Sequence, residues 1–319
     1  MTSLANRVEI IKLADVLNVA DAELSALVEV PPADIKTLRV AVGEAIFHQH
    51  ESRFRRIAKL AGAVPAPLSA RIAQLALSPL LGARVAAVME PDVAVKLAGH
   101  LSSTYLADLA TALDPVRAAP ILGRIPSATV LEVGRTLVER KEYVALGRFV
   151  SVIEADTALG VVRAATGRDL LQVALFAEDL DALDTLVQRI EDERLVEAIR
   201  AAHADELYAD AVTLVASVSP ASQERLVPLI TALDASGLNA FARSLHDYDA
   251  WDAALPALAG LDDAALGALA NCEATLSPGM LPRMVEVATE LGLSDLVDRL
   301  PGVLDAEHKK AAGKALTST

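Results

Sequence analysis

The sequence predicts an all-α protein, a right-handed α-superhelix (solenoid) of short helical hairpins with about 12 residues per helix. Three observations carry this reading. Apolar residues make up 53% of the chain but aromatics only 3%, so the interior is built from Ala, Leu and Val, a mix that suits helices better than pleated sheet. Apolar residues recur at three and four rather than at two. Between Glu90 and Leu137, helix-starting residues recur every 12 positions, at Pro91, Ser103, Pro115 and Ser127. Ser caps the free N–H groups of a first turn, and Pro at the first helical position gives up an N–H that would have no partner.

In chain order, Ser3 to Asn18 and Asp21 to Val28 read as two helices, closed by Pro31-Pro32. Pro32 to Leu60 reads as one long helix with Gly43 as a bending point, followed by helices over Leu68–Leu77 and Leu80–Met89. The four 12-residue segments come next, with recurring large apolar side chains such as Leu97 and Leu101, or Leu109 and Leu113, and with Leu109 and Leu122 as expected core residues. A second run starts near Asp156, Arg168, Asp181 and Asp192, and a looser set spans Asp205 to Leu300. Val212–Val218 could pass for a strand. Leu207, Ala211, Leu214, Val215 and Val218 share a helical face, however, so it reads as helix. The expected organisation is therefore an N-terminal helical region with one long helix (1–88), a solenoid (89–304) and a tail without an apolar face that frays (305–319).

An isolated helix of about 11 residues is marginal in water. Each buried Leu or Val contributes only about 1.5–3 kcal/mol, so such units are stable only when stacked on neighbours.

The block EPDVAVKLAGHLSSTYLADLATALDPVRAAPILGRIPSATVLEVGRTL resembles the superhelical N-terminal cytosolic domain of MgtE-type magnesium transporters. It is also similar to the armadillo-like repeats of the flagellar motor switch protein G. The shared pattern, Leu-x-x-Leu-Asp-Pro-x-x-Ala-x-x-Ile-Leu, falls on Leu109, Leu113, Asp114, Pro115, Ala118, Ile121 and Leu122. The likeness covers residues 88–200 and, more faintly, 205–300. It implies a superhelical fold and an acidic face that binds magnesium. Transport is not implied, since the chain carries no membrane spans and no nucleotide-sensing module.

Composition excludes several classes. A net charge of −14 opposes nucleic-acid binding through phosphate contacts. The longest stretch free of Asp, Glu, Lys and Arg, Ala211 to Gln223, is 13 residues and contains Pro220, whereas a spanning helix needs about 20 apolar residues. Met1 to Asp21 does not read as a secretory signal. The single cysteine, Cys272, rules out a disulfide framework and fits a cytoplasmic protein. Charge is asymmetric: residues 1–150 hold 17 basic and 15 acidic residues, and residues 151–319 hold 12 and 28. The second half reads either as solvated faces and helix caps or as a surface for a basic partner or divalent cations.

No phosphate loop, dinucleotide fingerprint or nucleophile elbow occurs. Gly313-Lys314 has His308 where a phosphate loop needs glycine, and His50-Glu51 is followed by Phe54 where a zinc-protease motif needs histidine. Asp247, Asp249 and Asp252 lack the glycine and distal glutamate of a calcium loop and read as caps for the helix carrying Trp251 and Leu255. Glu44, His48 and Glu51 fall on one face of the long helix, with Arg55 continuing the row. They are candidate metal ligands, or an ion-paired surface row for want of a second ligand-bearing helix. Arg53, Arg55, Arg56 and Lys59 form the dense basic cluster of the chain, a candidate site for an anion or an acidic partner or for self-association with the acidic C-terminal half, or a solvated face paired at i, i+3 and i+4. His100 reads as a helix-end residue and Cys272 as a packed thiol.

The functional expectation is a non-enzymatic scaffold or regulatory protein that binds a protein partner through its superhelical surface, with no cofactor. The alternative is a sensor or carrier for a divalent cation (magnesium) or an apolar small molecule, suggested by the acidic half and a mean hydropathy of +0.38.

Overall fold

Side-chain caps set where the helices begin. Ser78, Ser102 and Asp114 each accept from backbone N–H groups two or three residues on, and Asp179, Asp234, Asp262 and Asp305 do the same further along. The computed structural model describes residues 4–204, 207–230 and 233–313. Every regular element among them is helical, and no strand occurs among the described residues. No described helix is long and apolar enough to cross a membrane.

Contacts divide the chain into two units, Met1–Ala164 with Phe176–Glu178, and Ala165–Leu175 with Asp179–Thr319. The first holds α1 (Leu4–Leu17), the 3-10 segment Asp21–Leu27, α2 (Pro32–Ala63), α3 (Ala66–Ala76), α4 (Pro79–Ala86), α5 (Pro91–Ala98), α6 (Ser103–Ala112), α7 (Pro115–Leu122), α8 (Ser127–Glu139), α9 (Tyr143–Phe149) and α10 (Ala155–Val162). Helices pack on those two places along. In one row α2 meets α4, α4 meets α6, α6 meets α8 and α8 meets α10; in the other α3 meets α5 and α5 meets α7. The starts at Pro91, Ser103, Pro115 and Ser127 coincide with the observed first residues of α5 to α8. Helix α2 packs on α4 through Phe47, Phe54, Ala58 and Val85 and so joins the row.

The second unit takes most of α11 (Gly167–Phe176), then α12 (Leu180–Val187), α13 (Asp192–Ala204), α14 (Tyr208–Ser217), α15 (Pro220–Ile230), α16 (Ala235–Asp247), α17 (Trp251–Leu258), α18 (Asp263–Ala270), the 3-10 segment Glu273–Leu276, α19 (Met280–Glu290), α20 (Ser294–Val303) and α21 (Ala306–Ala312). Here α13 packs on α15, α14 on α16, α15 on α17, α17 on α19 and α18 on α20. The void bounded by Trp251, Leu255, Leu266 and Met284 measures about 10 Å³, room for about one water.

The centre of the helix contacts is made of small residues. Ala107 and Ala118 are fully buried, with Ala94, Ala98 and Ala110 close behind. Leu109 and Leu122, expected at the core, are only half-buried, as are Leu97, Leu101 and Leu113. The reason is close approach. Leu109 lies over Gly82, within 2.7 Å of where a Cβ would stand, so the contact line takes Ala and Gly while leucines flank it. Leu109→Ala is therefore expected to cost nearer 2 kcal/mol than the about 5 kcal/mol at the top of the range for buried leucines, as read by urea denaturation.

Three local expectations change. Asp21–Leu27 is a 3-10 segment, not an α-helix. Helix α9 was not foreseen: it has seven residues, no side-chain cap, and follows Lys141 in a left-handed conformation (φ 60°). The tail is ordered through Gly313, because Asp305 caps α21 and His308 is buried with its ring against Asp305 (2.7 Å) and the Cys272 carbonyl (3.2 Å). Residues 314–319 lie outside the described residues.

Arginines staple successive helices across hydrogen bonds of long sequence span. In the second unit Arg225 donates to the Val187 and Ile190 carbonyls that end α12 and to Asp192 that opens α13. Arg299 repeats this on Ala259, Leu261 and Asp263. In the first unit Arg124 pairs with Asp92 and Arg140 with Asp108, both at 2.6 Å. Three of these staples neutralise a first-turn carboxylate (Asp92, Asp192 and Asp263), whereas Arg140 meets Asp108 in the middle of α6. Far-UV circular dichroism is expected to show a helical spectrum; strand content above about 15% would contradict this fold, since ordinary mixed domains reach 20–25%.

Candidate partner-binding surface

The Glu44–His48–Glu51 row is solvent-facing on α2 and tied into ion pairs. His48 Nε2 lies 3.1 Å from Glu44 and Nδ1 lies 3.0 Å from Glu51. Arg55 holds the other Glu51 oxygen at 2.6 Å, and Arg117 of α7 reaches across to Glu44 while stacking 4.1 Å over the Phe47 ring. Hydrogen bonds from Arg55 and His48 hold the Glu51 carboxyl below the usual carboxylate range. Among the described residues no three His, Cys, Asp or Glu side chains are placed to share a metal ion. Many carboxylates of the second unit are engaged as caps (Asp179, Asp234, Asp262) or with Ser219 and arginines (Asp184, Asp192, Asp249, Asp263). Asp249 does not cap the Trp251 helix as expected; it takes a left-handed conformation and pairs with Arg283.

The basic cluster is the more open feature. Arg53, Arg55, Arg56 and Lys59 are all exposed. Arg55 is paired with Glu51, and Arg56 reaches only the Ser52 carbonyl at 3.4 Å. Arg53, Arg56 and Leu60 recur at three and four on the side of α2 opposite the buried Phe54 and Ala58. Leu60 is 68% exposed, and across the turn at Val64-Pro65 the outer face of α3 continues with Leu68, Arg71, Ile72 and Leu75, the last 80% exposed. These α3 residues fall at i, i+3, i+4 and i+7, one stripe. Among the described residues no earlier helix takes the place before α3 in its row: α1 packs chiefly on α2 and the 3-10 segment. The sequence singles out the arginines but gives Leu60, Leu68, Ile72 and Leu75 only as parts of helices, with no face assigned. The available signal was charge: residues 52–89 hold six basic residues and no Asp or Glu.

A second charged group is buried in the first unit and was not foreseen. Glu9 and Lys12 of α1, Arg39 of α2 and Glu178 close a box. Arg39 lies 3.0 Å from Glu9 and 3.2 Å from Glu178, and Lys12 lies 3.5 and 3.6 Å from the same two carboxylates. Lys12 is 3% exposed. Burial pushes its ammonium down, against the pull of Glu178 and Glu9 in the other direction. In the second unit burial raises the Cys272 thiol, a packed side chain, and pushes the Tyr208 phenol up to about 12.

That last shift gives a pH dependence of definite sign. Between an unfolded value of 10.0 and the folded value of about 12, the folded chain keeps a proton that the unfolded chain releases. Stability is therefore expected to fall as pH rises from 10 to about 12, and Tyr208→Phe should flatten that part of the profile in pH-dependent thermal melts.

Compared with protein-family models, curated proteins and solved structures, the chain matches none.

Proposed function

We propose that the chain is a non-enzymatic α-solenoid scaffold, a right-handed superhelix that holds a protein partner on its surface in the cytoplasm. The observation that carries the reading is the open end of the helical rows: α3 and the C-terminal half of α2 expose Leu60, Leu68, Ile72 and Leu75 beside Arg53, Arg56 and Lys59. A terminal repeat normally turns a polar face to water. An apolar stripe rimmed by polar groups is what an interaction site presents. The resemblance to MgtE-type domains agrees with a superhelix and is part of the proposal.

Native mass spectrometry of the chain purified from its source tests this. A co-purifying protein in fixed stoichiometry is expected; a bound metal or lipid in its place would replace the scaffold with the sensor or carrier reading. Thermal melts separate magnesium specifically. Millimolar Mg²⁺ should exceed sodium chloride at matched ionic strength by under about 1 kcal/mol, because the acidic half is occupied by caps and arginine pairs. A real site filled at about 100 times its Kd would give about 2.7 kcal/mol.

A further inference from the structure

We propose that the open α2–α3 face docks an acidic amphipathic helix of the partner, which takes the next place in the row ahead of α3. The proposal rests on the scaffold reading and adds the partner's chemistry.

Two observations select that occupant. The first is continuity. Within the first unit α3 carries α5 on one side and α5 carries α7, so the packing that builds the row has a free edge at α3. Along that edge Leu68, Ile72 and Leu75 present the i, i+4, i+7 spacing that an apolar helical stripe meets. The second is charge. The six basic residues of residues 52–89 have no acidic residue among them, in a chain of net charge −14. Arg53, Arg56 and Lys59 on α2 and Arg71 within the α3 stripe are exposed, so the rim attracts carboxylates.

These observations weigh against the other occupants. A second copy meeting face to face would set like charges against each other. A second copy offering its acidic half would bring few large exposed apolar side chains, Leu180 at the start of α12, Tyr248 at the end of α16 and Leu291 at the end of α19 among them, which form no single helical stripe. An anionic lipid surface satisfies the charge but not the helix-row edge.

The test uses the full chain and a synthetic helical peptide of about 18 residues with Leu at i, i+4, i+7 and Glu on the flanks. A Lys-flanked twin and phosphatidylserine-containing vesicles serve as comparisons. Fluorescence anisotropy is expected to show binding of the Glu peptide, weakening as salt rises, with the Lys twin at least about tenfold weaker. The pair Ile72→Glu with Leu75→Glu should lose about tenfold or more for the Glu peptide, and Arg56→Glu with Lys59→Glu should lose affinity together with salt dependence. All four positions are exposed, and circular dichroism confirms that the variants fold. Equal binding of the two peptides, no binding of the Glu peptide, or unchanged affinity in both variants would overturn the proposal. Binding to vesicles alone, or self-association abolished by the variants without peptide binding, would assign the face to lipid or to a second copy instead. A partner that co-purifies equally well with the Ile72→Glu, Leu75→Glu chain leaves the scaffold reading intact and removes this site from it.

Discussion

Lys12→Met is expected to destabilise the chain by about 3–5 kcal/mol, the cost of removing one partner from a buried charge group. The two carboxylates it faces, Glu9 and Glu178, would then share Arg39 alone. The methionine keeps most of the stem, so lost packing contributes little. The compensating variant Lys12→Met with Glu178→Gln restores the charge balance and should recover most of the loss. Urea denaturation of the three chains measures both effects. A cost under about 0.5 kcal/mol for Lys12→Met would show that water solvates the box and that α1 is not fixed by it. The box is not a source of large net stability, since buried ion pairs often do no better than apolar replacements. Its consequence is register: it fixes how α1 lies on α2.

Gly147→Val is expected to cost about 3 kcal/mol, at the upper end for overpacked sites. A Cβ at Gly147 would stand 2.5 Å from the backbone carbonyl carbon of Phe176, and a backbone cannot step aside as a long side chain can. The equivalent position in the second unit is Gly167, whose Cβ would meet the Glu197 backbone. Gly302→Ala supplies the opposite sign. Nothing lies within 4 Å of its Cβ position, so the helix-propensity gain of about 0.5–1 kcal/mol appears uncompensated. Equal melting temperatures for Gly147→Val and the parent chain would mean that α9 does not approach Phe176 so closely.

The helices between Pro91 and Glu139 were legible because their starts are chemically marked. Ser102 and Asp114 cap them, and Pro91 and Pro115 stand at first-turn positions. Helix α9 carries no such mark. The core was misread for a related reason. Leucine spacing locates a helix face, but in tightly stacked short helices the contact line belongs to Ala94, Ala107, Ala118 and the glycines, whose hydropathy is weak. The Glu9–Lys12–Arg39–Glu178 box pairs residues up to 166 positions apart, which pattern alone cannot bring together. At the candidate site the basic half could be read from Arg53, Arg55, Arg56 and Lys59. The apolar half required knowing that α3 begins its row, so that Leu68, Ile72 and Leu75 face outward rather than into a neighbour.

The central claim, a surface that holds a protein partner on the exposed stripe of α3, is tested most directly by purifying the full chain and its Ile72→Glu, Leu75→Glu variant from the source and comparing the two by native mass spectrometry. A protein that accompanies the parent chain in fixed stoichiometry and is lost from the variant is the expected result. A parent chain that carries no protein partner would contradict it.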